Sequence, residues 1–267
     1  MNKINNHKIN NLEEFKREFG YVIDNTWYPR VTKICEIKSK PALYYFYAEA
    51  PNFKEATNKK IKAADEGKIV HEIIESFIQR RQIIVPPEYE GIKMAFEDFL
   101  KNHSFFSKED WLEKKIVHFL HRYAGTFDII GELDGQFSLI DIKTSQNIYE
   151  DYRLQTSAYF MALNEEGFFR DEKGKKIPLL KPLEKRYVLR INQKRICEKC
   201  GAVMKIRKMG SKIEGGDAFC DHKFGEILGE WELKAFDNVE EDFKAFLSCK
   251  TLWEWEYRDY LKEIGYL

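Results

Sequence analysis

The chain has 267 residues, of which 43% are apolar and 33% charged, and its 44 basic side chains balance 44 acidic ones. A chain of this length can bury a substantial core as one large domain or two small ones. It has no apolar run of about 18 residues, which argues against a membrane span. The N-terminal sequence MNKINNHKINNLEEF lacks the apolar stretch of a secretory signal. We therefore expect an intracellular, cytoplasmic protein with no membrane partner.

The charge is unevenly distributed along the chain, although its sum is zero. Residues 173–208 carry 13 Lys and Arg side chains against two Glu. Much of the compensating acid lies nearer the C-terminus. Such a basic run forms either an ordinary solvated face or a surface for the phosphates of a nucleic acid.

The first half of the chain predicts helices followed by a three-stranded meander. Residues 66–80 carry apolar side chains at helical spacing, and residues 89–100 follow the Pro86-Pro87 break as a second amphipathic helix. Residues 112–120, 123–133 and 136–143 have the composition of strands. Asp134-Gly135 is a strong signal for a two-residue hairpin turn between the last two strands.

The second half predicts a helix, two strands around an insertion, and a last helix. Helical periodicity returns at residues 150–163, and residues 185–193 and 225–235 are predicted strands. Asp237 or Asn238 could cap a final helix over residues 237–257. The order predicts one α/β domain over residues 1–267, with a mixed central sheet flanked by helices.

Two carboxylates in apolar strands are the first candidates for chemistry. The triplet acid-x-Lys is common in this chain, but Asp141-Ile142-Lys143 lies in the apolar run SLIDIKTS. The two-residue period of a strand places Asp141 and Lys143 on one face. Asp128 has a similar setting, GTFDII, on the neighbouring strand. The arrangement is either a buried ion pair without chemistry or a site for a divalent cation.

Taken together, the motifs GKIVHEIIE, GTFD, IDIKTS and QTSAY resemble the catalytic core of the PD-(D/E)XK nuclease superfamily. The greatest similarity is to its RecB-like exonuclease branch, which includes phage, CRISPR-adaptation and mitochondrial genome maintenance nucleases. The resemblance implies a restriction-endonuclease-like αβββαβ core over about residues 65–195. It matches six side chains to family positions: His71 to the helical histidine, Asp128 and Asp141 to the metal-binding acids, Lys143 to the lysine, and Gln155 with Tyr159 to the Q-x-x-x-Y motif.

These residues can be given chemical roles. Asp128 and Asp141 are expected to hold Mg²⁺ or Mn²⁺, with His71 and the Ile142 carbonyl as further ligands, and a nitrogen ligand shifts the preference modestly toward Mn²⁺. Lys143 is expected to orient the attacking water or stabilise the charge that develops on the phosphate.

The neighbouring side chains leave alternatives open. Gln155 and Tyr159 share a helical face and could position Lys143 or contact the strand being cut. His71 and Tyr159 could instead be ordinary core residues. Glu75 is either a supporting residue or a surface one, and Glu113 is a candidate for an additional ligand.

A cysteine cluster marks the predicted insertion at residues 196–224. Cys197, Cys200, Cys220 and His222 fit a tetrahedral structural zinc site. An iron–sulfur cluster built from Cys35 with Cys197, Cys200 and Cys220 is the alternative, followed by free thiols. Cys249, on the last helix, is expected to lie in the protein core.

The sequence therefore predicts a divalent-metal-dependent DNA exonuclease that prefers single-stranded or frayed ends, with DNA as its partner. Two other interpretations stay open. One is an endonuclease of the same superfamily. The other is a non-catalytic nucleic-acid-binding protein that uses the zinc module for recognition.

Overall fold

The computed structural model describes residues 11–38, 41–207 and 210–267. These parts of the chain contain eight α-helices: α1 Leu12–Phe19, α2 Val31–Cys35, α3 Pro41–Glu49, α4 Phe53–Ile78, α5 Glu90–Asn102, α6 Asp151–Glu166, α7 Val239–Glu256 and α8 Arg258–Glu263. None of the helices in these ranges is long and apolar enough to cross a membrane.

The same ranges contain twelve strands: β1 Gly20–Ile23, β2 Thr26–Pro29, β3 Phe105–Phe106, β4 Leu112–His118, β5 Tyr123–Leu133, β6 Gln136–Lys143, β7 Phe168–Arg170, β8 Lys176–Pro178, β9 Lys185–Ile196, β10 Val203–Lys205, β11 Lys212–Glu214 and β12 Leu228–Ala235. β1 and β2 form a separate hairpin. The other ten strands form one sheet with the order β11-β10-β9-β6-β5-β4-β7-β8, in which β12 also pairs with β9 and β3 with β5.

The predicted meander is present as β4, β5 and β6. Asp134 and Gly135 both have positive φ, 51° and 80°, which is the conformation of the predicted hairpin turn. β6 then pairs with β9 in parallel, while the other pairings in this sheet are antiparallel. The chain is thus a mixed α/β protein with a large, mostly antiparallel sheet.

Helices cover the sheet on both faces. Phe137 and Leu139 of β6 belong to a cluster that contains α1, α2, α6, α7 and α8. Ile140 and Ile142 belong to a second cluster with α4 and α5. Because β6 is buried on both faces, its sequence is a nearly continuous apolar run rather than an alternating one.

The structure corrects two helix starts. α4 begins at Phe53, well before residue 66, with Asn52 capping the amide of Glu55 at 2.9 Å. Its first half is polar and mostly exposed, so hydrophobic periodicity does not mark it. α7 begins at Val239 after Asn238, whose side chain forms no capping bond, and Asp237 pairs instead with Lys185.

The basic run of residues 173–208 does not form one open basic face. Seven of its cations form ion pairs with carboxylates, namely Lys181, Lys185, Arg186, Arg190, Lys194, Lys199 and Lys205. Their partners lie mostly in the C-terminal third of the chain, which is where the compensating acid was found. The run is therefore largely neutralised within the fold.

One of these pairs, Arg186 with Asp242, joins β9 to α7. Arg186 is buried, and its guanidinium also donates to the carbonyl oxygens of Phe236 and Arg153 and to Thr156 Oγ1. We expect Asp242→Ala to lower the free energy of unfolding by about 3–5 kcal/mol, since it leaves a buried guanidinium without its counter-charge. Urea denaturation measures the loss.

Asp237→Ala is the matched control because it removes an ion pair of 2.9 Å, with Lys185, in which Asp237 is 72% exposed. Its cost should be about 0–1 kcal/mol. Equal losses in the two variants would show that burial of the Arg186 pair does not stabilise the fold.

Candidate active site

Asp141 and Lys143 form an ion pair on β6. Period-two alternation places both side chains on one face of the strand, and Lys143 Nζ lies 2.5 Å from Asp141 Oδ2. Asp141 is 0% exposed. Its second oxygen, Oδ1, accepts a hydrogen bond of 3.2 Å from Gln155 Nε2 on α6. Both carboxylate oxygens of Asp141 are therefore held by neighbouring side chains.

Asp128 lies on β5, next to the same stretch of β6. Its Oδ2 accepts a hydrogen bond of 2.7 Å from the backbone N–H of Ile142, and it is 8% exposed. The structure thus brings Asp128 to the backbone of Ile142, the residue whose carbonyl is the predicted further ligand.

His71 of α4 approaches Asp128 from the helical layer. Its Nε2 lies 3.9 Å from Asp128 Oδ2, while its Nδ1 lies 3.1 Å from Glu113 Oε1. Ligand atoms of His71, Glu75 and Glu113 all lie within 4.8 Å of one another, and this group could hold a metal ion. The structure thus places both Glu75 and Glu113 at the site.

Glu113 reaches His71 through an unusual backbone conformation. Its φ is +48°, in the left-handed region that residues with a side chain rarely adopt. The strand pairing skips this residue, since Leu112 pairs with Ile129 and Lys114 with Phe127. Strained backbone of this kind occurs often at functional sites. The sequence contains no signal for it.

The site gathers several carboxylates in a buried setting, where their charged forms are unfavourable. The pKa values of Asp141 and Glu75 are raised as a result. Burial raises the pKa of Asp141 to about 6, although Lys143 opposes the shift. Burial and the charge of Glu113 raise the pKa of Glu75 to about 7. Burial alone would lower the pKa of His71, but Asp128 and Glu113 outweigh it and raise that pKa to about 9. A cation bound among these groups would favour their deprotonated forms, which are charged carboxylates for Asp141 and Glu75 and a neutral imidazole for His71.

Two of the donor atoms are spaced as ligands of one divalent cation would be. Ligands held at about 2.0–2.6 Å from one ion lie roughly 3–4 Å apart, depending on the angle between them. The separation of 3.9 Å between His71 Nε2 and Asp128 Oδ2 lies in this range. Carboxylate oxygens suit Mg²⁺ and Mn²⁺, and an imidazole nitrogen adds a modest preference for Mn²⁺.

Tyr159 supports the site from within the core. It is buried, with 2% of its surface exposed. Its hydroxyl accepts a hydrogen bond of 3.3 Å from Gln155 Nε2, the group that also holds Asp141. A Cβ on Gly125 would lie 2.4 Å from the Tyr159 ring, so the glycine of the GTFD motif makes room for this tyrosine.

A second group that could hold a metal ion lies in the insertion, formed by Cys197, Cys200, Cys220 and His222. Cys197 Sγ and Cys220 Sγ are 3.9 Å apart, and Cys200 Sγ lies 3.3 Å from His222 Nδ1. Tetrahedral zinc with bonds of about 2.3 Å to sulfur separates two thiolates by about 3.8 Å. An isolated β-bridge between Cys197 and Phe224 closes the insertion at its base.

The remaining two cysteines lie elsewhere. Cys35 of α2 is buried in the cluster that contains α6 and α7, and Cys249 of α7 packs against the same cluster. The cysteine set required by the iron–sulfur alternative is therefore not assembled, because Cys35 does not join the other three. Cys249 is half-buried at the edge of this cluster, whereas the sequence predicted a core position.

The backbone strain at Glu113 can be measured with two substitutions that both remove the carboxylate. Glycine adopts φ of +48° freely and alanine does not, so Glu113→Gly should unfold with a free energy about 1–2 kcal/mol higher than Glu113→Ala. Urea denaturation gives both values.

The same pair of substitutions at Glu97, inside α5, is the control. There glycine should be the less stable replacement by about 1 kcal/mol, because it weakens a helix. If alanine were also the better replacement at position 113, the left-handed conformation of Glu113 would be refuted.

Comparison with known proteins gives no relative from which a role could be transferred: neither a protein-family model nor a curated protein matches the chain.

Proposed function

We propose that the chain is a divalent-metal-dependent deoxyribonuclease, an exonuclease that hydrolyses phosphodiester bonds at single-stranded or frayed ends. The observation that carries the proposal is the contact of Lys143 with Asp141, beside Asp128 and His71, in an otherwise apolar part of the sheet. A buried ion pair alone would explain Asp141 and Lys143. It does not explain why Glu75 and Glu113 also gather beside His71, where burial and the charge of Glu113 raise the pKa of Glu75 to about 7.

The chemistry follows from the positions of these groups. A bound Mg²⁺ or Mn²⁺ supplies a Lewis acid for the phosphate and lowers the pKa of a water molecule. His71, Asp128 and Asp141 would hold the ion, with Glu113 and the Ile142 carbonyl completing the set. Lys143 would stabilise the negative charge that develops on the phosphate. Gln155 keeps Asp141 in place, and Tyr159 keeps Gln155 in place.

The order of elements supports a place for the chain in the PD-(D/E)XK superfamily, in its RecB-like branch. α4, the meander β4–β6, α6 and then β9, parallel to β6, follow one another as the resemblance implies for a restriction-endonuclease-like core. His71 on α4, the acids on β5 and β6, and Gln155 with Tyr159 on α6 support this proposal.

We also propose that the metal of the insertion is zinc and that its role is structural. The chemistry of the donor set, three thiols and an imidazole, suits a closed tetrahedral zinc site. The insertion contributes few residues to either core cluster, so it lacks an apolar core of its own and needs such a staple.

The nuclease proposal predicts that Asp141→Asn or Lys143→Ala lowers the rate of DNA degradation by about 100-fold or more, since each removes a group that acts on the metal or on the phosphate. End-labelled linear single-stranded DNA is digested with Mg²⁺, Mn²⁺ or EDTA. A closed circular single strand is digested in parallel, and an exonuclease leaves it intact.

Glu184→Gln and Lys181→Ala are the matched controls, because they remove the same types of charge from a surface ion pair of 2.9 Å. Both should keep wild-type activity. Circular dichroism verifies that every variant is folded. Full activity of folded Asp141→Asn and Lys143→Ala would refute the proposed function, and cleavage of the circle would assign an endonuclease instead.

The zinc proposal predicts about one equivalent of zinc per chain in the purified protein. Cys200→Ser should lose it, since a hydroxyl is a poor zinc ligand, whereas Cys35→Ser should retain it because Cys35 lies in the core. Elemental analysis measures zinc and iron in each variant. Stoichiometric iron that disappears in both variants would establish the iron–sulfur cluster and contradict the zinc site.

A further inference from the structure

A cleft of about 640 Å³ opens beside Lys143, on the side away from the buried sheet. One wall consists of α3 and α4, and the other of the insertion. The loop that follows β6 forms the floor. The residues used below are Phe46, Lys59, Tyr149, Tyr152, Arg207 and Lys212. The volume is within the range of ligand pockets in proteins, about 300–1,000 Å³.

The charges that line this cleft have one sign. Lys59 comes from α4, Lys143 from β6, and Arg207 and Lys212 from the insertion, whereas no acidic side chain occurs among the described residues that line it. Two of these cations also form ion pairs, Lys143 with Asp141 and Lys212 with Glu214, but neither carboxylate is among the residues that line the cleft. A cleft with walls of one charge attracts ligands of the opposite charge, here an anion with several negative groups.

Aromatic rings lie between these cations. Phe46 lines the cleft from α3, while Tyr149 and Tyr152 line it from the loop and from α6. The rings of Tyr149 and Tyr152 meet edge to face with centroids 5.9 Å apart, and Lys143 Nζ lies 5.1 Å from the centroid of Tyr152. Tyr149 is 38% exposed, so its ring is accessible to a ligand. Cations interleaved with accessible rings are typical of surfaces that bind single strands, since phosphates contact the cations and bases stack on the rings.

We propose that this cleft binds a segment of single-stranded DNA and leads it to Lys143, and that the metal-stapled insertion is one wall of the binding site. The proposal rests on the proposed nuclease function for the identity of the polymer. A duplex keeps its bases stacked on one another, so the rings of this cleft have base faces to bind only in an unpaired strand. The cleft thereby gives a physical reason for a preference for single-stranded or frayed ends.

The insertion acquires a function from this placement. β10 pairs antiparallel with the end of β9 and with β11, and the chain between β10 and β11 contributes Arg207 to the cleft. The Cys197, Cys200, Cys220 and His222 group fixes the segments on either side of this hairpin. The structural metal therefore holds the hairpin that carries a DNA-binding residue. It has no part in positioning the residues that act on the phosphate.

The test measures binding separately from cleavage. Fluorescence anisotropy of labelled oligo(dT) is recorded with full-length protein that carries Asp141→Asn, loaded with zinc and in the presence of Ca²⁺. On this background, Tyr149→Ala should weaken binding by about tenfold, the effect of losing one stacked base. Arg207→Gln should also weaken it and lower the slope of log Kd against log salt by about 0.7, the value for one phosphate contact on a single strand.

Phe219→Ala and Lys199→Ala are the matched controls. Phe219 is 97% exposed and Lys199 is a surface cation, and both belong to the insertion but do not line the cleft. Both should bind oligo(dT) as the background protein does. A blunt hairpin duplex should bind equally to Tyr149→Ala and to the background protein.

The outcomes separate this proposal from the proposed function. If oligo(dT) binds unchanged to Tyr149→Ala and Arg207→Gln, the cleft is not the binding site, whether or not the wild-type protein cuts DNA. If both variants lose binding and the wild-type protein cuts nothing with any divalent metal, the cleft proposal stands and the nuclease proposal fails. Should one variant not fold, Lys59→Gln on the opposite wall replaces it with the same expected loss.

Discussion

The arrangement of the site depends on how β6 buries the carboxylate of Asp141. This strand has apolar clusters on both faces, yet it carries Asp141 fully buried and Lys143 two residues later. An unpaired carboxylate there would be very unfavourable. The ion pair with Lys143 and the hydrogen bond from Gln155 both follow from this constraint, whereas the nearby charge of Asp128 acts against it by raising the pKa of Asp141. α6 is placed where it can supply Gln155, and the cleft opens where Lys143 leaves the core.

The sequence was sufficient for the parts of the site that strand periodicity determines. Alternation placed Asp141 and Lys143 on one face, and the hairpin turn set the register that brings Asp128 beside Ile142. Glu113 could be only a candidate, because its position depends on a left-handed backbone conformation that no pattern announces. The start of α4 was missed for a related reason, since a polar, exposed half-helix has no apolar face to detect.

The distribution of charge along the sequence predicted less about the site than strand periodicity did. The basic run of residues 173–208 suggested a phosphate-binding surface, but its cations are mostly paired with distant acids such as Glu230 and Asp242. Ion pairs between residues far apart in the chain are not visible from composition. What distinguishes Arg207 is its place in the cleft, and that depends on how the insertion folds back toward α4. Net charge alone therefore gives poor guidance to the binding surface of this protein.

The spacing of the site along the chain also bears on how the protein folds. Asp128, Asp141, Lys143 and Gln155 lie within one hairpin and the helix after it, so their contacts close short loops, which form fast. The charge of Asp141 is compensated by a residue on its own strand, so the counter-charge is in place before distant segments bury the acid. His71 and Glu113 must meet across 42 residues of chain. The charged centre can thus assemble early, and its outer ligands join it as the helical layer docks.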